Sequence, residues 1–85
     1  MSSLQQLVGD LRADLGSLSV PFVAGQLLPT KSADFNQMIT TIPQYIVNSY
    51  WVSNAGTVSI GDGSHFNATS QRLLGLRYAD EILNP

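Results

Sequence analysis

The 85 residues contain no cysteine, which excludes disulfides, thiolate metal sites and a thiol nucleophile. Stability has to come from packing alone, in a chain short enough that burial on folding is incomplete. Charge is scarce too: four basic and six acidic residues make up 12% of the chain and leave a net charge of −2. They are scattered along the sequence, so no basic patch exists to neutralise phosphates and no polybasic segment to hold a membrane. Nucleic acid and membrane are therefore not expected partners. No apolar run approaches the length of a bilayer span, and the start, "MSSLQQLVGD", lacks a charged region followed by a continuous apolar stretch. The expectation is a soluble chain with no compartment address. Hydrophobic residues reach 44%, enough for one packed core in a single domain, residues 1–85. So little charge on so small a surface points to surface meant for burial.

What is present falls into a readable order. Ser3 with Gln6 has capping-box spacing, and Leu4, Leu7, Val8, Leu11 and Leu15 recur at helical intervals before Gly16, so residues 3–15 are expected to form a helix. "VPFVAGQL" is apolar on both alternating faces with Pro21 near its start, and predicts a buried parallel strand over 20–27. After the loop "LPTKSAD", Asp34 with Gln37 opens a second helix carrying Phe35, Met38, Ile39 and Ile42. Pro43 kinks or restarts it, and the helical pattern continues through Tyr45, Ile46 and Tyr50. "TVSI" reads as a short strand over 57–60. Asn67 is the expected N-cap of a last helix, in which Leu74, Tyr78 and Ile82 share a face with Gly75 and Ala79, small enough to let it lie close on a sheet.

An α-β-α-β-α order predicts parallel strands joined by crossovers, part of a doubly wound α/β sheet. Two strands leave both sheet edges open and the core small. The sheet is expected to be completed by another copy, as a homo-oligomer, or by a missing N-terminal half.

Chemistry concentrates after the second expected strand, in "DGSHFN". Asp62 precedes His65, the single histidine, by three residues. In a tight loop such a carboxylate holds an imidazole in one tautomer and stabilises its charged form, leaving the other nitrogen to take a proton from a serine. The alternative is plainer: Asp62 and Gly63 form a turn, and His65 is a solvated residue ahead of a helix. Ligands of open α/β sheets bind outside the carboxyl ends of the strands, which favours the functional reading and adds Gln26 as a substrate-binding candidate. A polar residue closing an apolar strand is also commonly satisfied by the neighbouring loop.

"LRADLGSLSVPFVAGQL" followed by "GDGSHFNATSQRLLGLRYADEIL" resembles the C-terminal half of the sialate O-acetylesterase and acetylxylan esterase-like group of SGNH hydrolases. The likeness is close over residues 11–27 and 61–83 and looser over 30–56. It implies a flavodoxin-like sheet, with His65 as general base and Asp62 as its orienting acid in the removal of acetyl groups from carbohydrates. Arg77 and Tyr78, which match as well, look structural. That family's nucleophile sits in a Gly-Gln-Ser-Asn type block after its first strand, and its oxyanion hole draws a glycine and an asparagine from two further blocks. None of these is present, so the expectation is a chain inactive by itself.

Other features carry less. A metal site on Asp62 and His65 would have only scattered carboxylates to add, and no cofactor is called for. Asn67-Ala68-Thr69 matches a glycosylation sequon at a position better explained by helix capping. Tyr45, Tyr50 and Trp51 offer an aromatic platform for a sugar, or a helical cluster in a core or subunit interface. An autonomous enzyme would need Ser17 or Ser64 to reach His65.

Overall fold

The computed structural model describes residues 1–17 and 19–83. Helix α1 (Ser2–Asp14) begins a residue ahead of the expected start and has no side-chain cap, because Ser3 lies inside its first turn. Gln6 instead bonds one turn ahead to Asp10, 3.1 Å away. The helix closes as the sequence suggests. Gly16 adopts φ +71°, its amide reaches Ala13 O, and the amide of Ser17 reaches Arg12 O, both at 3.0 Å, which is a Schellman motif.

Strand β1 (Phe22–Gly25) pairs in parallel with β2 (Ser49–Val52), with Phe22 opposite Ser49 and Gly25 opposite Val52. Between them come α2 (Ala33–Thr40) and the one-turn α3 (Ile42–Tyr45), which carries Pro43 in its first turn. Ser32, not Asp34, caps α2, its hydroxyl accepting from the amide of Phe35 at 3.2 Å. Helix α4 (Ala68–Leu83) is the last described element, capped by Asn67, whose Oδ1 accepts from the amide of Ser70 at 2.8 Å.

The second strand is therefore at 49–52, where the sequence suggested helix, and not at 57–60. Asn48 holds a left-handed φ of +55°, which stops any helix running on from α3, and the residues after it are aromatic and β-branched. Among the described residues "TVSI" has no partner strand, and its one ladder feature there is an isolated antiparallel bridge from Ser59 to Phe66.

Alternation along the strands divides the helices between the two faces of the sheet. Phe22, Ala24 and Trp51 face a core built from Val8 of α1, Ile39 of α2, Ile42 of α3 and Ile46. Gly25 and Val52 face α4. A Cβ on Gly25 would sit 1.8 Å from the Tyr78 hydroxyl, so the strand glycine admits the helix. The expectation that Gly75 does so fails, since nothing lies within 4 Å of where its Cβ would be. The fold is thus mixed α/β around a small parallel sheet.

Buried polar groups tie the strand ends. Arg12 donates from Nε to Val20 O and from Nη2 to Asn48 O, both at 3.0 Å, clamping the residues that lead into β1 and β2. At the carboxyl ends, buried Asn36 accepts from Leu27 N at 2.7 Å and donates to Leu28 O at 3.1 Å. The narrow sheet leaves part of the apolar surface bare: Leu7, Leu11 and Leu15 of the expected stripe on α1 are 49–68% exposed. No helix among the described residues is long and apolar enough to cross a membrane.

Candidate functional site

The segment from Val58 to Asn67 forms a loop pinched at its base. Asn67 N donates to Val58 O at 2.8 Å and Ile60 N to His65 O at 3.0 Å. Its foot is fixed to α4 by the Val58 amide, which donates to the buried hydroxyl of Ser70 at 2.7 Å. Within the loop Gly61 and Gly63 have φ of +118° and +73°, values that L side chains rarely adopt. These two glycines let the chain turn tightly enough for His65 to meet a carboxylate three residues back.

The meeting is direct: Asp62 Oδ2 lies 2.5 Å from His65 Nδ1. The other oxygen, Oδ1, accepts from Ser64 N at 2.8 Å, from His65 N at 2.9 Å and from the Ser59 hydroxyl at 3.3 Å. The imidazole first, and then the amides of Ser64 and His65, hold the Asp62 carboxyl well below the usual carboxylate range. As an ionised acceptor Asp62 requires a proton on Nδ1, which makes Nε2 the basic nitrogen of the neutral ring. No described residue bonds Nε2, and the His65 side chain is 74% exposed. A carboxylate-oriented imidazole with a free, solvent-facing nitrogen is equipped to remove and return a proton.

The loop lies against the segment leaving β1, through Lys31 Nζ, which donates to Ser64 Oγ at 2.9 Å. Gln26 follows β1 directly, with both ends of its amide engaged inside the protein. Its Nε2 donates to Asn36 O at 2.9 Å and its Oε1 accepts from Asn54 N at 3.0 Å, and Asn54 in turn donates to Leu27 O. Gln26 thus locks together the two loops that leave the strands. Ser64 is tied to Lys31, and Ser17 pairs with Ser19 beside the Arg12 clamp at the amino ends of the strands, so neither hydroxyl bonds to His65.

Sequence reasoning overlooked Ser59, Lys31 and Asn54. Ser59 has one available signal, a serine three residues before an acid in a glycine-bearing segment, and the strand pattern of "TVSI" masks it. Tyr50 and Trp51, on adjacent positions of β2, point to opposite faces and make no common platform. Arg77 donates to Ser53 O at 2.7 Å, fastening α4 to the end of β2. A groove of about 510 Å³ runs beside Tyr50, Ser53, Arg77 and Glu81, and takes no wall from Asp62 or His65.

The family model described as carbohydrate esterase, sialic acid-specific acetylesterase, matches residues 1–84. No curated protein and no solved structure gives a match. With the family match running nearly end to end, this chain belongs to the sialic acid-specific acetylesterase family of carbohydrate esterases.

Proposed function

We propose that the chain is the acid–base part of a serine-type carbohydrate O-acetylesterase, corresponding to the C-terminal part of a doubly wound SGNH-hydrolase sheet, with its nucleophile supplied from outside these residues. The observation that carries this reading is the His65 imidazole, held by Asp62 through Nδ1 and open at Nε2. In the reaction Nε2 takes the proton of a serine hydroxyl as its oxygen bonds the acetyl carbon. The resulting imidazolium, stabilised by Asp62, returns that proton to the departing sugar hydroxyl as the ester C–O bond breaks. Water then attacks the acetyl-enzyme with the same base, releasing acetate and restoring the serine. The attack places negative charge on the carbonyl oxygen, and fixed donors for it must accompany the nucleophile.

Because no described serine bonds to His65, the isolated chain is expected to be inactive toward O-acetylated sialic acid and aryl acetates. Activity is expected when a nucleophile-bearing N-terminal segment of the family is supplied in trans. His65→Ala in that mixture should then lower the rate by about 10²–10⁴-fold. Equal rates with and without His65 would refute the assignment.

A second reading, a non-catalytic assembly module of the same fold, is favoured by the outer edge of β1. Phe22 N and Gln26 N both point to β2, at 3.1 Å from Asn48 O and Val52 O, so the backbone groups of Val23 and Gly25 point to the unpaired side. Exposed leucines of α1 add apolar surface for a partner or a second copy. Light scattering that gives a monomer at micromolar concentration would count against self-assembly through this edge.

A further inference from the structure

We infer that Ser59 is a positioning residue for the Asp62–His65 pair: its hydroxyl both shapes the loop and aims the carboxylate. The inference rests on that pair being the working acid–base couple.

A serine hydroxyl has one proton to donate and two lone pairs to accept with. At Ser59 all three are used inside one loop. Oγ accepts from Gly61 N at 3.0 Å and from Gly63 N at 2.9 Å, and its proton goes to Asp62 Oδ1 at 3.3 Å. The two amides flank Asp62 in sequence, so a single oxygen fixes the backbone on both sides of the carboxylate. These are also the two glycines at positive φ, the least restrained links of the loop. The donated proton completes a set of three donors on Oδ1, with the amides of Ser64 and His65. With Oδ1 saturated, the carboxylate has one orientation left, which presents Oδ2 to the imidazole. Ser59 itself is anchored by its bridge to Phe66, so the hub does not drift with the loop.

A sequence-local turn at Asp62 does not by itself give this result. An Asp turn needs only Oδ1 and the amides ahead of it. The Ser59 hydroxyl adds restraint from behind and fixes rotation about the Cβ–Cγ bond. The consequence is a His65 ring kept in the Nδ1–H tautomer, with the proton-accepting nitrogen facing out.

His65 is the single histidine, so its ring nitrogens can be observed without ambiguity in the intact chain labelled with ¹⁵N-histidine. Long-range ¹H–¹⁵N spectra, taken where the ring is neutral, report the tautomer without requiring activity. The parent is expected to show Nδ1–H, and Asp62→Asn a mixture dominated by Nε2–H. Ser59→Ala and the near-isosteric Ser59→Cys should move toward the Asp62→Asn spectrum, whereas Ser59→Thr, which keeps the hydroxyl, should retain the parent pattern. Parent-like tautomers in both Ser59→Ala and Ser59→Cys would overturn the role, as would a Ser59→Thr spectrum no different from that of Ser59→Ala. Circular dichroism identifies any variant that loses the fold, and Ser59→Cys serves if Ser59→Ala does. Esterase assays in trans separate this inference from the function proposed above. If His65→Ala leaves the rate unchanged, the esterase reading fails while the tautomer result stands. If His65→Ala abolishes the rate and Ser59→Ala keeps both parent rate and parent tautomer, only the positioning role fails.

Discussion

Arg12 ties the approaches to both strands to α1. Buried near the end of α1, it holds Val20 O and Asn48 O, the carbonyls just before β1 and β2. Hydrogen bonds from a charged donor contribute about 1.5–3 kcal/mol each, so Arg12→Ala removes two of them, roughly 3–6 kcal/mol. Water can reach part of the space left by truncation and solvate the carbonyls, which places the expected loss near the lower end, about 3 kcal/mol. Set against about 4–13 kcal/mol for a domain of this size, that is a large share of the whole. Arg12→Lys keeps the charge but not the planar fork, and should lose about half as much. Urea unfolding followed by Trp51 fluorescence suits the test, because Trp51 is the single tryptophan and packs against the core. With a slope of about 1 kcal/mol/M, the midpoint of Arg12→Ala should fall by about 3 M, or the variant should show no folded baseline. A midpoint within about 0.5 M of the parent would refute the clamp.

Gly25→Ala should destabilise by about 1–3 kcal/mol, since its Cβ meets the Tyr78 hydroxyl and ring, and most of the loss should be recovered in Gly25→Ala/Tyr78→Ala relative to Tyr78→Ala alone. Additive losses in that cycle would show that the contact is not the cause. Gly63→Asn should be tolerated because φ of +73° lies close to the left-handed region that asparagine visits, whereas Gly61→Asn, at +118°, should open the loop and scramble the His65 tautomer. Equal effects at the two glycines in the ¹⁵N spectra would contradict this. The Asp62 carboxyl, depressed chiefly by His65, makes a contribution to loop stability that is complete above its unfolded value of about 3.9, declines as pH falls below that value and is lost once pH has fallen through its lower folded value. Its ¹³C carboxyl resonance should therefore still report the ionised form at pH 3.5, and titration near 3.9 would refute the coupling.

How much was legible in the sequence depended on the range of the interactions involved. Helix α1 with its glycine stop, the restart at Pro43 and the Asn67 cap are each governed by neighbours within about four residues, and each is readable; the apolar run of β1 is readable too, but its bounds of Phe22–Gly25, not 20–27, are set by pairing with β2. The Asp62–His65 contact was readable for the same reason, being made within one loop. β2 was not. Residues 45–50 carry a helical spacing by coincidence, and what makes 49–52 a strand is pairing with β1, 27 residues earlier in the chain, after the left-handed turn at Asn48. Misplacing that strand also hid Ser59, whose role exists because the loop folds back on itself where a strand was expected.

The sequence by itself determined the class of the chain: cysteine-free, poor in charge, mixed in helix and strand, with an acid and a base spaced to meet. Only tertiary structure decided which segments pair and how Arg12 and Gln26 tie the two ends of the sheet. The physical reason is that composition and short-range spacing limit local conformations, whereas strand partners and buried hydrogen bonds are settled by which distant groups can satisfy one another once the core has closed.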